Sequence, residues 1–211
     1  MPIHISLVAG PVRGWITGVG SRETPDWAMS GLRLVIAAYA ARGYGIRTGD
    51  AAAADQATRE AAKGAGAPLR VFAVSKQACP DTVCFTSLPH QIQRQAFDLV
   101  DELHPAKWLK PFVKQLHARN SNQVLSEGLD DPSELVVLWA MKSEFDDDGR
   151  LKNVAGGTGQ AVRVAHKFNV RALNLDLPDH RAQLERELGI ELPAPPADEC
   201  EEDLSPQARL F

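Results

Sequence analysis

The sequence predicts an α/β fold: a Rossmann-like, doubly wound, mostly parallel sheet, followed by a disordered acidic C-terminal tail. Three observations lead there. Short apolar runs alternate with helical patterns through the body of the chain, the signature of βαβ units with right-handed crossovers. The strand candidates are continuous apolar runs, as strands buried on both faces are. From Leu192 onward, PAPPADECEEDLSP has no apolar period and reads as a solvated linker. A chain of 211 residues therefore divides into one α/β domain over 1–190 and a tail over 191–211.

The elements follow in order. Gly14–Gly20 (GWITGVG) reads as a buried strand ending in glycine. Pro25 to Arg42 is a helix on its apolar spacing, with Thr24 as its cap, Pro25 in its first turn and Gly43 at its end. Tyr44–Thr48 is the second strand, Ala51–Ala65 an Ala-rich helix and Leu69–Val74 the third strand. Residues 76–89 lack periodicity and read as loop. Helical patterning returns over Gln91–Leu103 and Pro111–Leu125. Glu134–Ala140 and Val170–Leu175 are the fourth and fifth strands, with a helix between them starting near Gly157. Pro178–Leu188 is the last helix, capped by Asp176.

Hydrophobic residues make up 44% of the chain, enough for a core, and the formal net charge of −4 excludes a protein that coats DNA by bulk charge. Residues 191–211 account for the acidity, with six carboxylates against Arg209. The opening MPIHISLVAG lacks the charged start and small-residue cleavage site of a secretory leader. No apolar run approaches the roughly 18 residues of a membrane span. With Cys79, Cys84 and Cys200 as its cysteines, the chain is expected in a reducing, cytoplasmic compartment. Cys79 and Cys84, with no second pair, are a poor zinc site. Glu144, Asp146, Asp147 and Asp148 read as a solvated turn, since they lack the spacing of a calcium loop. No metal and no cofactor is expected, and no catalytic set can be assembled from spacing.

Ligands of open α/β sheets bind beyond the carboxyl ends of the strands, so those loops carry the functional reading. The first strand ends in Gly18-Val19-Gly20-Ser21-Arg22, where glycines admit close backbone approach and Arg22 offers a fork for an anion. The second ends in Thr48-Gly49-Asp50-Ala51 and opens onto a helix start, with Asp55 one turn in. Ala155-Gly156-Gly157-Thr158-Gly159-Gln160 brings three more glycines to another helix start. Arg119-Asn120 precede the fourth strand. Neither a P-loop nor a G-x-G-x-x-G with its distant acid is present.

Together these residues resemble the SLOG superfamily, the Rossmann-like group that includes the Smf/DprA DNA-processing proteins and the Lonely guy phosphoribohydrolases. The resemblance covers about Gly14 to Leu175. Gly20-Ser21-Arg22 is similar to the G-S-R turn of DprA-like members. Thr48 to Asp55 resembles their S/T-G-G-A-x-G-x-D segment, with Asp50 and Ala53 in place of glycines. Arg119-Asn120 resembles the R-N pair and Gly156-Gly157-Thr158 the G-G-T turn. The DprA-like branch fits better. It implies a protein that binds a nucleotide or single-stranded nucleic acid in DNA metabolism, able to form a homo-oligomer. Its phosphate site would comprise Gly20, Ser21, Arg22, Thr48, Gly49, Asp50, Arg119, Asn120, Gly156, Gly157, Thr158 and Gly159. Asp50 would repel phosphate but could accept a ribose hydroxyl. The alternatives are a nucleotide N-glycoside hydrolase or transferase, and a binder of a small signalling nucleotide. The hydrolase motif P-G-G-x-G-T-x-x-E has Arg163 at its glutamate, which argues against that chemistry.

Two further segments stand out. Leu103 to Ser126 holds no acid but contains Lys107, Lys110, Lys114 and Arg119. Leu109, Phe112, Val113 and Leu116 form a core stripe there, with Lys110, Lys114 and His117 on an adjoining face. That face reads as solvated or as a phosphate-tracking surface, and Trp108 reads as buried. The chain ends in Gln207-Ala208-Arg209-Leu210-Phe211. Gln207, Leu210 and Phe211 resemble the bacterial sliding-clamp-binding motif Q-x-x-L-F, which implies a docking peptide on a tether.

Overall fold

The computed structural model describes residues 12–75 and 81–196. Cys79, Cys200 and the candidate docking residues Gln207, Leu210 and Phe211 lie outside them. The expected strands form: β1 (Trp15–Gly20), β2 (Gly45–Gly49), β3 (Leu69–Ala73), β5 (Leu135–Trp139) and β8 (Arg171–Asn174). A sixth, β4 (Thr82–Cys84), pairs parallel with β3 inside the stretch that reads as loop. Three residues with a single aliphatic side chain carry no strand pattern, and only the exposed edge of β3 defines them as one. The order β4-β3-β2-β1-β5-β8 is parallel throughout. The chain winds outward from β1 through β2 to β4, then returns to β5 on the other side of β1. The crevice between β1 and β5 is thus the topological switch point, where open α/β sheets bind ligands.

Both faces are covered. Along β5, Leu135, Val137 and Trp139 join one core cluster, while Val136, Leu138 and Ala140 join the other, the strict alternation of a pleated strand. The first face is closed by α1 (Asp26–Ala41), α2 (Ala54–Gly64) and α6 (Pro178–Leu188), and the second by α3 (His90–Leu103), α4 (Pro111–Leu125) and α5 (Gly159–Lys167). Between β5 and α5, the hairpin of β6 (Glu144–Phe145) and β7 (Leu151–Asn153) contains the acidic turn. Its Asp146 is a staple: it accepts from the Arg150 backbone N–H (2.8 Å), Arg150 Nε (3.0 Å) and His166 Nε2 (2.8 Å). No group of carboxylates, histidines or cysteines among the described residues could hold a metal ion, and no described helix is long and apolar enough to cross a membrane.

Three local expectations are corrected. Thr24 does not cap α1; its hydroxyl donates to Ser21 O (2.6 Å), closing the turn after β1. Asp176 does not cap α6, whose N-cap is Leu177 with no side-chain cap hydrogen bond; Pro178 starts the helix with its preset φ. Leu192 is not solvated linker. Its side chain is in the first core cluster and its N–H donates to Glu185 Oε1 (2.8 Å).

The start of α2 is strained. Ala53, its N-cap, has φ 59° and ψ −114°, a region that L residues avoid because Cβ crowds the backbone. We expect Ala53→Gly to stabilise the fold by about 1 kcal/mol, since relief of strain exceeds glycine's entropy cost in the unfolded chain. A thermal melt with an unchanged or lower Tm would contradict this.

Candidate functional site

At the switch point a cavity of about 440 Å³ opens beyond the C-terminal end of β1. Its walls bring together Gly20, Ser21 and Arg22 from the β1 turn, Asn120 and Arg119 from α4, and Gly157 and Thr158 from the turn before α5. Val19, Val113, Leu116 and Ala161 supply apolar surface. Thr48, Gly49, Asp50, Gly156 and Gly159 do not line it. They act behind the wall.

That supporting layer centres on Arg119. Its side chain is 7% exposed, with Nη2 3.1 Å from Asp50 Oδ1 and Nη1 3.9 Å from Asp55 Oδ2. The amide orientation of Gln123 that satisfies all its neighbours lets Oε1 accept from Arg119 Nη1 and the Gly49 N–H, both at 2.7 Å, while Nε2 donates to Asn120 Oδ1 at 3.1 Å. These groups converge over Gly49 because it has no side chain. A Cβ there would sit 2.2 Å from Asp55 Oδ2 and 2.3 Å from Arg119 Nη1. Arg59 secures the same turn, its Nη1 donating to Gly49 O (2.7 Å) and Ala51 O (3.0 Å). Thr48 Oγ1 donates to Gly18 O (2.7 Å), locking β2 to β1.

Asp55 does more than complement the helix start. It is 4% exposed, lines the cavity and accepts from the Ala51 N–H at 3.2 Å. Burial pushes its carboxyl up; Arg119, the Ala51 N–H and Arg59 oppose that. Asp50 is held by Arg119 at 3.1 Å and does not line the cavity. Asn120 Nδ2 donates to Gly157 O (3.0 Å), tying α4 to the G-G-T turn. Arg22 is exposed and forms no ion pair among the described residues.

The stripe expected on α4 is corrected. Phe112 is 61% exposed and Trp108, expected buried, is 73% exposed. Val113 and Leu116 line the cavity, and the buried side of the helix is largely polar: His117, Arg119, Ser121, Asn122 and Gln123. An apolar period marks core only where a helix faces other apolar surface; here α4 faces turns and a polar cavity. Arg59, Gln123 and His117 are the residues that sequence reasoning did not place in the site. Arg59 and Gln123 carry no motif; each acts through a backbone group brought near by the fold.

Arg163, at the hydrolase glutamate position, faces away from the cavity lining. Its Nη1 donates to Asn153 Oδ1 (2.6 Å) and Nη2 to Gln160 Oε1 (3.0 Å). Its charge reaches His104 and His117, whose rings stand 4.6 Å apart. Burial first, then His104, Arg163 and Arg119, push His117 down to about 4. His117 is 8% exposed and neutral at pH 7.

The unfolded chain protonates this histidine near pH 6.5 and the fold refuses the proton until about pH 4, so stability falls as pH drops through that window. The loss attributable to His117 is about 3 kcal/mol at most. His117→Gln should flatten the decline between pH 7 and 4.5 in urea unfolding, with the smaller contributions of His104 and His180 left in place. An equally steep decline in the variant would count against it.

No protein-family model matches this chain, and no curated protein matches it. Among solved structures it is similar to DNA processing protein A (DprA) from Streptococcus pneumoniae, with a TM-score of 0.44 and 18% identity over 83% of this chain. The chain spans 56% of that protein's length.

Proposed function

We propose that this chain binds a nucleotide or single-stranded nucleic acid through its phosphate, in the manner of DprA-like proteins and in bacterial or phage DNA metabolism in the cytoplasm. The observation that carries the reading is the convergence of Arg22, Asn120 and the Gly157-Thr158 turn on one cavity at the switch point. Arg22 and the backbone of Gly157-Thr158, the part of the Gly156–Gly159 turn that lines the cavity, hold the phosphate just before α5, where the helix dipole favours an anion. Gly20 and Ser21 admit it closely. Arg119 already faces two carboxylates, so it adds field and shape rather than a free charge. Thr48, Gly49, Asp50 and Asn120 keep the turns in register.

Asp55 is the observation that supports the rival reading, an N-glycoside hydrolase or transferase. It is a buried carboxyl group in the cavity wall with its proton affinity raised, as a general acid's is. Arg163 stands against it, having replaced the carboxylate that would stabilise a ribosyl cation. Incubation with nucleoside monophosphates separates the readings. Free base above background supports the enzyme. A phosphate-dependent rise in Tm without turnover supports the binder, since a ligand selective for the fold stabilises it. We expect that rise, and its loss in Arg22→Ala; a rise unchanged in the variant removes Arg22 from the site.

Gln207, Leu210 and Phe211 add a partner to this proposal, the bacterial sliding clamp. Leu-Phe at the end of a charged, Pro-rich segment has nothing nearby in sequence to bury it, and burial in a partner's pocket contributes on the order of 3–6 kcal/mol before ordering costs, consistent with micromolar affinity. A tether of roughly fifteen residues lets the domain work beside the clamp. The peptide Asp203–Phe211 should bind clamp in a titration, and its Leu210→Ala/Phe211→Ala form should not. Equal affinities would dismiss the docking peptide.

A further inference from the structure

Trp108 and Phe112 are the two most exposed large hydrophobic side chains among the described residues, at 73% and 61%. They flank Pro111, the first residue of α4. Leaving two aromatic rings in water forfeits their burial energy, and their backbone is not loose. Leu109, between them, packs against the cluster of Phe85, Ala96, Val100 and Ala118, and the Ala106 N–H donates to His104 Nδ1 (3.1 Å). Anchoring Leu109 inward holds its neighbours outward. Within the segment itself the charges have one sign, and the nearby carboxylate Asp101 is paired with Lys114. Lys107 and Lys110 are exposed and form no ion pair among the described residues, whereas Lys114 is taken by Asp101. No acid occurs from His104 to Ser126. The patch also runs into the cavity: Phe112 lies one helical turn from Leu116, and Val113 and Leu116 are cavity wall.

We propose that Trp108 and Phe112 form a stacking platform for the unpaired bases of a nucleic-acid strand whose phosphate occupies the neighbouring cavity. This deepens the binding reading above and rests on it. Flat rings between unpaired lysines suit a single strand, because every base has a π-face and every linkage a negative charge. A duplex keeps its bases stacked on each other and offers the rings nothing. Trp108 and Phe112 take successive bases, while Lys107 and Lys110 contact the backbone between the platform and Arg22. The platform makes the protein a reader of strand length: a mononucleotide fills the cavity alone, and an oligonucleotide covers both.

The test uses the full chain with two probes, a fluorescein-labelled twelve-nucleotide oligo-dT followed by anisotropy and thymidine 5′-monophosphate followed by thermal shift. Trp108→Ala/Phe112→Ala should keep the wild-type Tm without ligand and the wild-type shift with the mononucleotide, and should bind the oligonucleotide about tenfold or more weakly. Lys107→Ala/Lys110→Ala should lessen the slope of log affinity against log salt by about 1.4, the release expected for two single-strand phosphate contacts. If the aromatic variant binds oligo-dT as tightly as wild type, the platform is wrong while the cavity reading stands. Wild type binding neither probe removes both. A variant whose self-association changes in sedimentation while its oligonucleotide affinity does not would give this face to a second copy of the chain and overturn the proposal.

Discussion

The buried guanidinium of Arg119 is the interaction on which the C-terminal edge of the sheet depends. A charge withdrawn from water must find partners, and this one finds them on three separate elements: Asp50 after β2, Asp55 at the start of α2, and Gln123 one turn on in α4. Satisfying it fixes the approach of α4 to the sheet and the path of the Thr48–Ala51 turn together. Gly49 is the space in which this happens. The same pairing leaves the carboxylate of Asp50 neutralised by Arg119, which lines the cavity while Asp50 does not.

From that node the cavity follows. Asn120, beside Arg119, reaches the Gly157 carbonyl and carries the geometry across to the turn before α5. Thr17 in β1 donates to the Gln123 carbonyl at 2.7 Å, so the central strand is tied to the same helix. The wall is assembled from polar groups that mostly satisfy one another, while Arg22, on a turn held by Thr24 and Ser21, lines the cavity with no ion pair among the described residues.

The division of labour on α4 follows from its surroundings. Phe112 in its first turn is exposed, its middle forms cavity wall and packs Ala118 into the Phe85 cluster, and its last turn, Val124 and Leu125, enters the second core cluster. One helix thus connects the exposed aromatic surface, the cavity wall and the interior. Its buried polar residues are costly by themselves, and the hydrogen bonds to turns and strand ends offset that cost.

The alternation of apolar runs and helical patterns determined the parallel α/β fold by itself, because strands buried on both faces and helices buried on one must show those patterns. The glycine turns at the strand ends were legible for the same reason: the fold class places every βα loop at one edge, so Gly20, Gly49 and Gly157 had to be near one another. Only the tertiary structure decided which of these residues line the cavity and which face each other. Asp50 and Arg119 read as independent site residues in sequence and became an ion pair when β2 and α4 met. β4 existed only through the free edge of β3. Trp108 and Phe112 carried an interior's chemistry in the sequence and stand at the surface, while Leu109 between them packs against the Phe85 cluster. In each case the deciding energy is a contact between residues far apart in the chain, and local pattern holds no record of it.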